Sequence, residues 1–127
     1  MKHLIYTLIF VLLAGAFNAG MDTLQFHYES SVFSNLDLDP DFWNPEFSWL
    51  NKYDRLEDGR LAPKFWGSTT FFVFVTDGWH LFQFMFLNFF CLACVPERKK
   101  LFDKILIFTA IRVTFGSSFT LFFDKIL

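Results

Sequence analysis

Two ionisable side chains interrupt a long apolar stretch of this sequence. Asp77 and His80 lie inside the run FFVFVTDGWHLFQFMFLNFFCLACV, which extends over residues 71–95. Side chains three positions apart are neighbours on a helix, so an acid and an imidazole at this spacing could ligate one metal ion or exchange a proton with a substrate. These two residues are therefore the candidates for any catalytic role.

Two further residues could complete a metal site with this pair. Asp22 and His27 follow the first apolar run of the chain, at the membrane surface where Asp77 and His80 would also lie. Five positions separate Asp22 from His27, which places them about 140° apart on a continuous helix. No HExxH pattern is present to support ligation. The four residues form a hypothetical metal site, and the sequence requires no cofactor.

The polar residues of this apolar run recur on one face. On a helix over residues 69–95, all polar side chains fall within about 140°. A later apolar run carries Arg112 near its middle, and an arginine inside a membrane usually faces other protein. The predicted polar stripe, which faces other helices, consists of Thr76, Asp77, His80, Gln83, Asn88 and Arg112.

Three interpretations of this stripe stay open. In the first, Thr76 and Asp77 cap a helix that begins only at Gly78, because aspartate is a favourable N-cap residue. In the second, the stripe is a structural polar network that joins helices. In the third it is a working site, since ionisable groups inside a membrane are functional candidates by default.

Composition indicates a membrane protein. Hydrophobic residues make up 54% of the 127 residues, and phenylalanine alone occurs 21 times. A soluble core of this size could not bury so many rings, and the remainder would form large exposed apolar patches. The formal net charge of -2 disfavours nucleic acid as a partner, since nucleic acid requires clustered basic residues. The expected partners are the lipid bilayer and either another membrane protein or a second copy of the chain.

Three apolar runs are long enough to cross a bilayer, which takes about 17–25 residues. They cover residues 4–20, 69–95 and 103–123. The first run has a basic residue before it and Ala-Gly-Ala at 14–16, so it is either a retained helix or a cleaved signal sequence. We predict an all-α membrane protein, with about three transmembrane helices in a single membrane domain over residues 1–127.

The distribution of charge predicts how these runs are oriented. Basic residues concentrate on the cytoplasmic side of a membrane, and here they precede the first run and fill the turn over residues 96–100. Residues 21–67 carry nine acids against four Lys or Arg, together with Trp and Tyr side chains that favour the headgroup layer. We expect an external aromatic cap over 21–67, a basic cytoplasmic turn over 96–100 and, if the first helix is retained, a cytoplasmic N-terminus.

Two stretches carry a resemblance to other proteins. WNPEFSWLNKY at 43–53 and STTFFVFVTDGWHLFQF at 68–84 resemble segments of small uncharacterised integral membrane proteins of bacteria and bacteriophages. The resemblance covers roughly residues 15–90. It implies a bacterial-type cytoplasmic membrane and carries no activity.

Three functions are compatible with these features. The leading hypothesis is a non-enzymatic accessory or assembly component whose polar stripe contacts other helices. The enzyme alternative is a membrane-embedded, metal-dependent activity on lipid that uses Asp77 and His80, with Asp22 or His27 as further ligands. The third is a phage-type pore former that lines a channel with the same stripe.

Overall fold

The computed structural model describes residues 2–36, 38–96 and 99–125, and this part of the chain is mostly helical. Its five α-helices are α1 (Lys2–Phe26), α2 (Val32–Asn35), α3 (Pro40–Trp43), α4 (Gly78–Cys94) and α5 (Leu101–Lys125). The predicted helical character is confirmed. Two short strands were not predicted: β1 (Tyr53–Arg55) and β2 (Leu61–Pro63) form an antiparallel pair in which Tyr53 is opposite Pro63.

The chain divides into two compact units. The first, here called the terminal unit, comprises Met1–Ala14 and Leu87–Leu127, and the second, here called the cap unit, comprises Gly15–Phe86. The boundaries of the units fall inside α1 and α4. The cap unit contains the predicted aromatic cap, together with the Asp77 and His80 pair.

Helix α1 is longer than the first predicted run over residues 4–20. It continues to Phe26, after which the chain tightens into a 3₁₀ turn at Tyr28–Ser30. Among the described residues, Leu4–Phe26 is the one helical segment both long and apolar enough to cross a membrane, and 6% of its most apolar window is buried. The core helix of a soluble protein is mostly buried, whereas this segment is mostly exposed. A signal sequence has the same length and composition, so both interpretations of this segment stay open.

The predicted helix over residues 69–95 is wrong in its first nine positions. Turns and a 3₁₀ turn at Val73–Val75 occupy this part of the chain, and α4 begins only at Gly78. Threonine and valine make up much of this stretch, and their branched side chains lower helix propensity. Asp77, directly before Gly78, is a favourable N-cap residue, and the helix begins after it. Polar residues before Gly78 therefore do not lie on a face of α4.

Helix α5 extends the predicted run over 103–123 by two residues at each end. Its first 18 residues contain Asp103, Lys104 and Arg112, so it is more polar than α1. The predicted basic turn over 96–100 falls partly outside the described residues, because Glu97 and Arg98 are not among them.

A glycine turn closes the β1–β2 hairpin of the cap unit. Gly59 has a φ of 82°, a left-handed conformation that glycine adopts without steric cost. Its backbone N–H donates to the Leu56 carbonyl oxygen at 2.9 Å. Asp58 accepts a bond from the backbone N–H of Arg60 at 3.0 Å and pairs with its guanidinium. The hairpin is therefore held by its turn as well as by its strands.

A cluster of aromatic rings joins α1, α2, α3 and α4 within the cap unit. The Trp43 ring stacks on Phe33 at a centroid distance of 5.4 Å, and Phe82 lies 5.6 Å from each of them. Phe17 of α1 approaches Phe82 at 5.7 Å. Such offset and tilted pairs add to the free energy of burying the rings, by about 0.5–1.5 kcal/mol per pair. The cluster fixes the first turns of α4 against the cap.

Candidate functional site

Asp77 is the N-cap residue of α4. It is 2% exposed, and its Oδ1 accepts a hydrogen bond from the backbone N–H of His80 at 2.9 Å. The first amides of a helix have no partner inside the helix, and a side-chain oxygen at the N-cap satisfies one of them. This geometry is the one that the first interpretation of the polar stripe describes.

The side chain of His80 turns back to the same carboxylate. Its Nδ1 lies 2.7 Å from Asp77 Oδ2 and 2.9 Å from Oδ1. An ionised carboxylate can only accept, so Nδ1 carries the proton of this contact. The imidazole is 23% exposed, and the Trp79 ring meets it edge-on at 5.1 Å. The result is an oriented Asp–His pair on the first turn of α4.

Thr76 connects this pair to the cap. Its hydroxyl donates to the Val73 carbonyl oxygen at 2.7 Å and lies 3.3 Å from Asp77 Oδ2. Its own carbonyl oxygen accepts a bond from Asn51 Nδ2 at 2.7 Å, and Asn51 Oδ1 accepts one from Lys64 Nζ at 2.7 Å. A chain of hydrogen bonds thus runs from Lys64 to the start of α4.

Sequence reasoning missed three residues of this neighbourhood. Asn51 and Lys64 are two of them, and the third is Ser68, which is fully buried and donates from its hydroxyl to the Lys52 carbonyl oxygen at 2.8 Å. Asn51 is 25 positions from Thr76, so no local spacing relates the two. Lone polar residues in a mixed-charge loop carry no signal that separates them from solvated ones.

Gly78 leaves room for the indole of Trp43 against the first turn of α4. A Cβ atom at this position would lie 2.6 Å from Trp43 Cε3 and 3.3 Å from Leu24 Cδ1. Real Cβ atoms do not approach backbone-anchored rings so closely, so the position accepts only glycine without a shift of the ring. Gly78, directly after Asp77, is therefore a packing position.

The geometry does not suit the predicted metal site. Both oxygens of Asp77 already accept hydrogen bonds, and its side chain is 3% exposed. Within residues 2–36, 38–96 and 99–125, no group of three or more His, Cys, Asp and Glu side chains could hold a metal ion. Asp22 and His27 are both exposed and do not join Asp77 and His80 in such a group.

His27 lies instead beside a separate open cavity of about 480 Å³ in the cap unit, together with Glu29 and Glu46. Of the four predicted ligands, Asp77 and His80 are brought into hydrogen-bonding contact. The structure joins them as partners of each other, in the manner of a carboxylate that orients a histidine.

The remaining members of the predicted stripe divide between the units. Gln83 is half-buried on α4 within the cap unit, whereas Asn88 and Arg112 belong to the terminal unit. Arg112 is half-buried and interacts electrostatically with Cys91, which is buried on α4. Each unit therefore has its own polar neighbourhood.

Comparisons of the chain with protein-family models, with curated proteins and with solved structures give no match. The resemblance to small membrane proteins of bacteria and phages stays a prediction, and the function rests on the geometry alone.

Proposed function

We propose that this chain is a small multi-pass integral membrane protein with a non-enzymatic accessory or assembly role. The observation that carries the proposal is the exposure of apolar side chains along the long helices. Leu4, Leu8 and Leu12 recur on α1 at intervals of four and are all exposed, and Ile105 and Val113 of α5 are exposed as well. An apolar surface of this extent requires lipid or another helix as its neighbour.

In the proposed topology α1, α4 and α5 each cross the bilayer. Seventeen residues of α4 span about 26 Å at 1.5 Å per residue, close to the hydrocarbon thickness of about 30 Å. The exposed Lys99 and Lys100 before α5 favour a cytoplasmic turn. The N-terminus is then cytoplasmic and residues 21–67 lie outside. If α1 is cleaved as a signal sequence, α4 and α5 keep their orientation.

The Asp77–His80 pair supports a structural role for the polar residues. Its hydrogen bonds start α4 and, through Thr76 and Asn51, tie the cap to that helix. Direct ligation of a metal by Asp77 would compete with the hydrogen bonds that hold the start of α4. The metal-dependent enzyme and the pore former stay predictions from the sequence.

Topology labelling tests the proposal. In a chain in which Cys91 and Cys94 are replaced by serine, single cysteines are introduced by Glu46→Cys and Lys99→Cys and by one residue appended after Leu127. A membrane-impermeant maleimide should label the first and third in intact cells, and Lys99→Cys only after permeabilisation. Labelling of all three sites from outside would contradict three crossings. Recovery of the full chain in the supernatant of a high-speed spin without detergent would remove the membrane assignment altogether.

Metal analysis separates the accessory role from the enzyme alternative. The purified protein should contain no stoichiometric transition metal, and Asp77→Asn and His80→Gln should leave the trace content unchanged. A stoichiometric metal that both variants lose would overturn the structural role of the pair in favour of a metal centre. Asp54→Asn is the matched control, because it removes an exposed acid that does not belong to the hypothetical site.

A further inference from the structure

A cavity of about 530 Å³ opens in the terminal unit between α1, the end of α4 and the start of α5. Ligand pockets in proteins measure about 300–1,000 Å³, so this one is large enough for part of a lipid molecule. It lies wholly outside the Asp77 site, and neither the cap nor the polar stripe uses it.

The lining of the cavity is mostly hydrocarbon. Phe10 of α1, Leu92 of α4 and Phe108 of α5 each contribute to the wall, so all three long helices take part. Leu101 and Ile105 also line it and are themselves exposed, which leaves the cavity open to the surroundings of the helices. In a bilayer those surroundings are acyl chains. The shape and chemistry suit one hydrocarbon chain that enters from the side.

One charged residue, Lys104, lines this apolar cavity. Lys99 and Lys100 precede it and Asp103 adjoins it, so three lysines and one acid fall within the six positions 99–104 at the N-terminal end of α5, and basic charge is in excess. Cations are unfavourable there because the helix dipole is positive at that end. Among the described residues, the ion pairs are Arg60 with Asp58 and His80 with Asp77, and neither involves these lysines. An anion would offset the positive charge at the mouth of the cavity.

We propose that this cavity binds a glycerophospholipid with an anionic headgroup, one acyl chain against the apolar wall and the phosphate beside Lys104. Basic pockets between transmembrane helices on the cytoplasmic side are suited to such headgroups, because each lysine near the surface contributes to their attraction. The inference rests on the proposed function, since only an integral membrane protein presents the cavity to lipid. It adds a lipid class and a location to that function.

The charge arm of the test measures binding of phosphatidylglycerol and phosphatidylcholine with identical acyl chains to the full-length protein by native mass spectrometry. Phosphatidylglycerol should bind more tightly. Lys104→Gln should weaken its binding about fivefold, the equivalent of about 1 kcal/mol per lysine, and leave phosphatidylcholine unchanged. Lys100→Gln is the matched control, because it removes the same charge from an exposed residue that does not line the cavity. Its effect should be smaller.

The steric arm tests the cavity itself. Ile105→Trp should fill it and reduce binding of phosphatidylglycerol, whereas Leu106→Trp should not. The two positions are adjacent on α5 and equally exposed, at 57% and 59%, but only Ile105 lines the cavity. Circular dichroism of each variant should show the helical content of the original protein, which confirms that the variants fold.

Several outcomes would overturn the inference. Equal affinity for the two lipids would do so, as would equal losses in Lys104→Gln and Lys100→Gln, because general surface attraction then explains binding. Displacement of the lipid by inorganic phosphate alone would mean that the acyl chain contributes nothing. If the chain is retained in membranes but shows no lipid preference, this inference alone fails. If the chain is not retained, the proposed function fails with it.

Discussion

At the scale of single residues, burial of Asp77 is tolerable because its oxygens are satisfied. A carboxylate removed from water without partners would cost several kcal/mol. Here the backbone N–H and the imidazole of His80 both bond to it, and the Thr76 hydroxyl lies nearby. Asp77 can therefore be buried in an apolar stretch at a much lower cost as long as the helix begins at the next residue.

Substitution of Asp77 should show how much the cap contributes to stability. Asp77→Ala should lower the free energy of unfolding by about 1–2 kcal/mol through the lost cap, and by about 1–3 kcal/mol more where a buried donor is left unpaired. Asp77→Asn should cost less, because its amide oxygen still accepts the His80 N–H. Chemical denaturation in detergent, followed by circular dichroism, measures both.

Asp22→Ala is the control for this comparison, since Asp22 is an exposed acid on α1. It should change stability by no more than about 0.5 kcal/mol, as is usual for surface substitutions. Equal effects of Asp77→Ala and Asp77→Asn would contradict the capping role.

The sequence predicted part of this site and could not predict the rest. Aspartate directly before a run of helix-compatible residues is a local signal, so capping by Asp77 could be proposed from spacing alone. The support from Asn51 and Lys64 could not, because those contacts join distant positions through the fold of the cap. The predicted ligands Asp22 and His27 followed from an assumed position at one membrane surface, which is too coarse to specify contacts between side chains.

At the scale of elements, the apolar runs predicted which segments form long helices, but they placed the start of α4 nine residues too early. Hydrophobic periodicity cannot distinguish an apolar loop from an apolar helix, so residues 69–77 were assigned to α4 with the rest of the run. The β1–β2 hairpin was missed for a related reason. Strands of three residues show no clear alternation, and only the Asp58-Gly59 turn marked the place.

Two glycines allow elements of the cap unit to approach closely. A Cβ atom on Gly20 of α1 would lie 2.8 Å from the ring of Phe82 on α4, and one on Gly78 would lie 2.6 Å from Trp43. Both rings belong to the aromatic cluster, so neither can move without disturbing Phe33. Small residues at such contacts allow neighbouring elements to approach closely.

Gly78→Ala should therefore destabilise the protein although alanine is the better helix former. Overpacking costs about 1–3 kcal/mol, which outweighs a gain in helix propensity of about 1 kcal/mol or less. Gly15→Ala is the matched control, because a Cβ there would have nothing within 4 Å. It should leave stability unchanged or raise it by up to about 1 kcal/mol. Thermal unfolding midpoints of the two variants are compared. A higher midpoint in both variants would show that Trp43 does not exclude a Cβ atom at position 78.

At the scale of the whole molecule, exposed aromatic rings gather just before α4. Trp66 and Phe71 are 79% and 77% exposed, and Trp66 stacks with Phe71 at 6.4 Å and tilts against Phe72 at 5.9 Å. In water such a patch is unfavourable. In the headgroup layer the apolar rings meet acyl chains while the indole N–H meets polar groups. The patch thus matches a membrane surface at the level where α4 would enter the bilayer.

Fluorescence quenching can test whether Trp66 lies in that layer. In vesicles whose lipids are brominated close to the headgroup, Trp66→Phe should remove a larger share of the quenchable tryptophan fluorescence than Trp49→Phe. Trp49 is the matched control, because it belongs to the same unit, is 48% exposed and donates its indole N–H to the Glu46 carbonyl oxygen at 3.2 Å. A tryptophan whose N–H is bonded within the protein has less to gain from the headgroups than one whose ring is almost wholly exposed. If Trp66→Phe leaves the quenching unchanged, the patch faces water or protein, and the cap does not rest on the membrane through these rings.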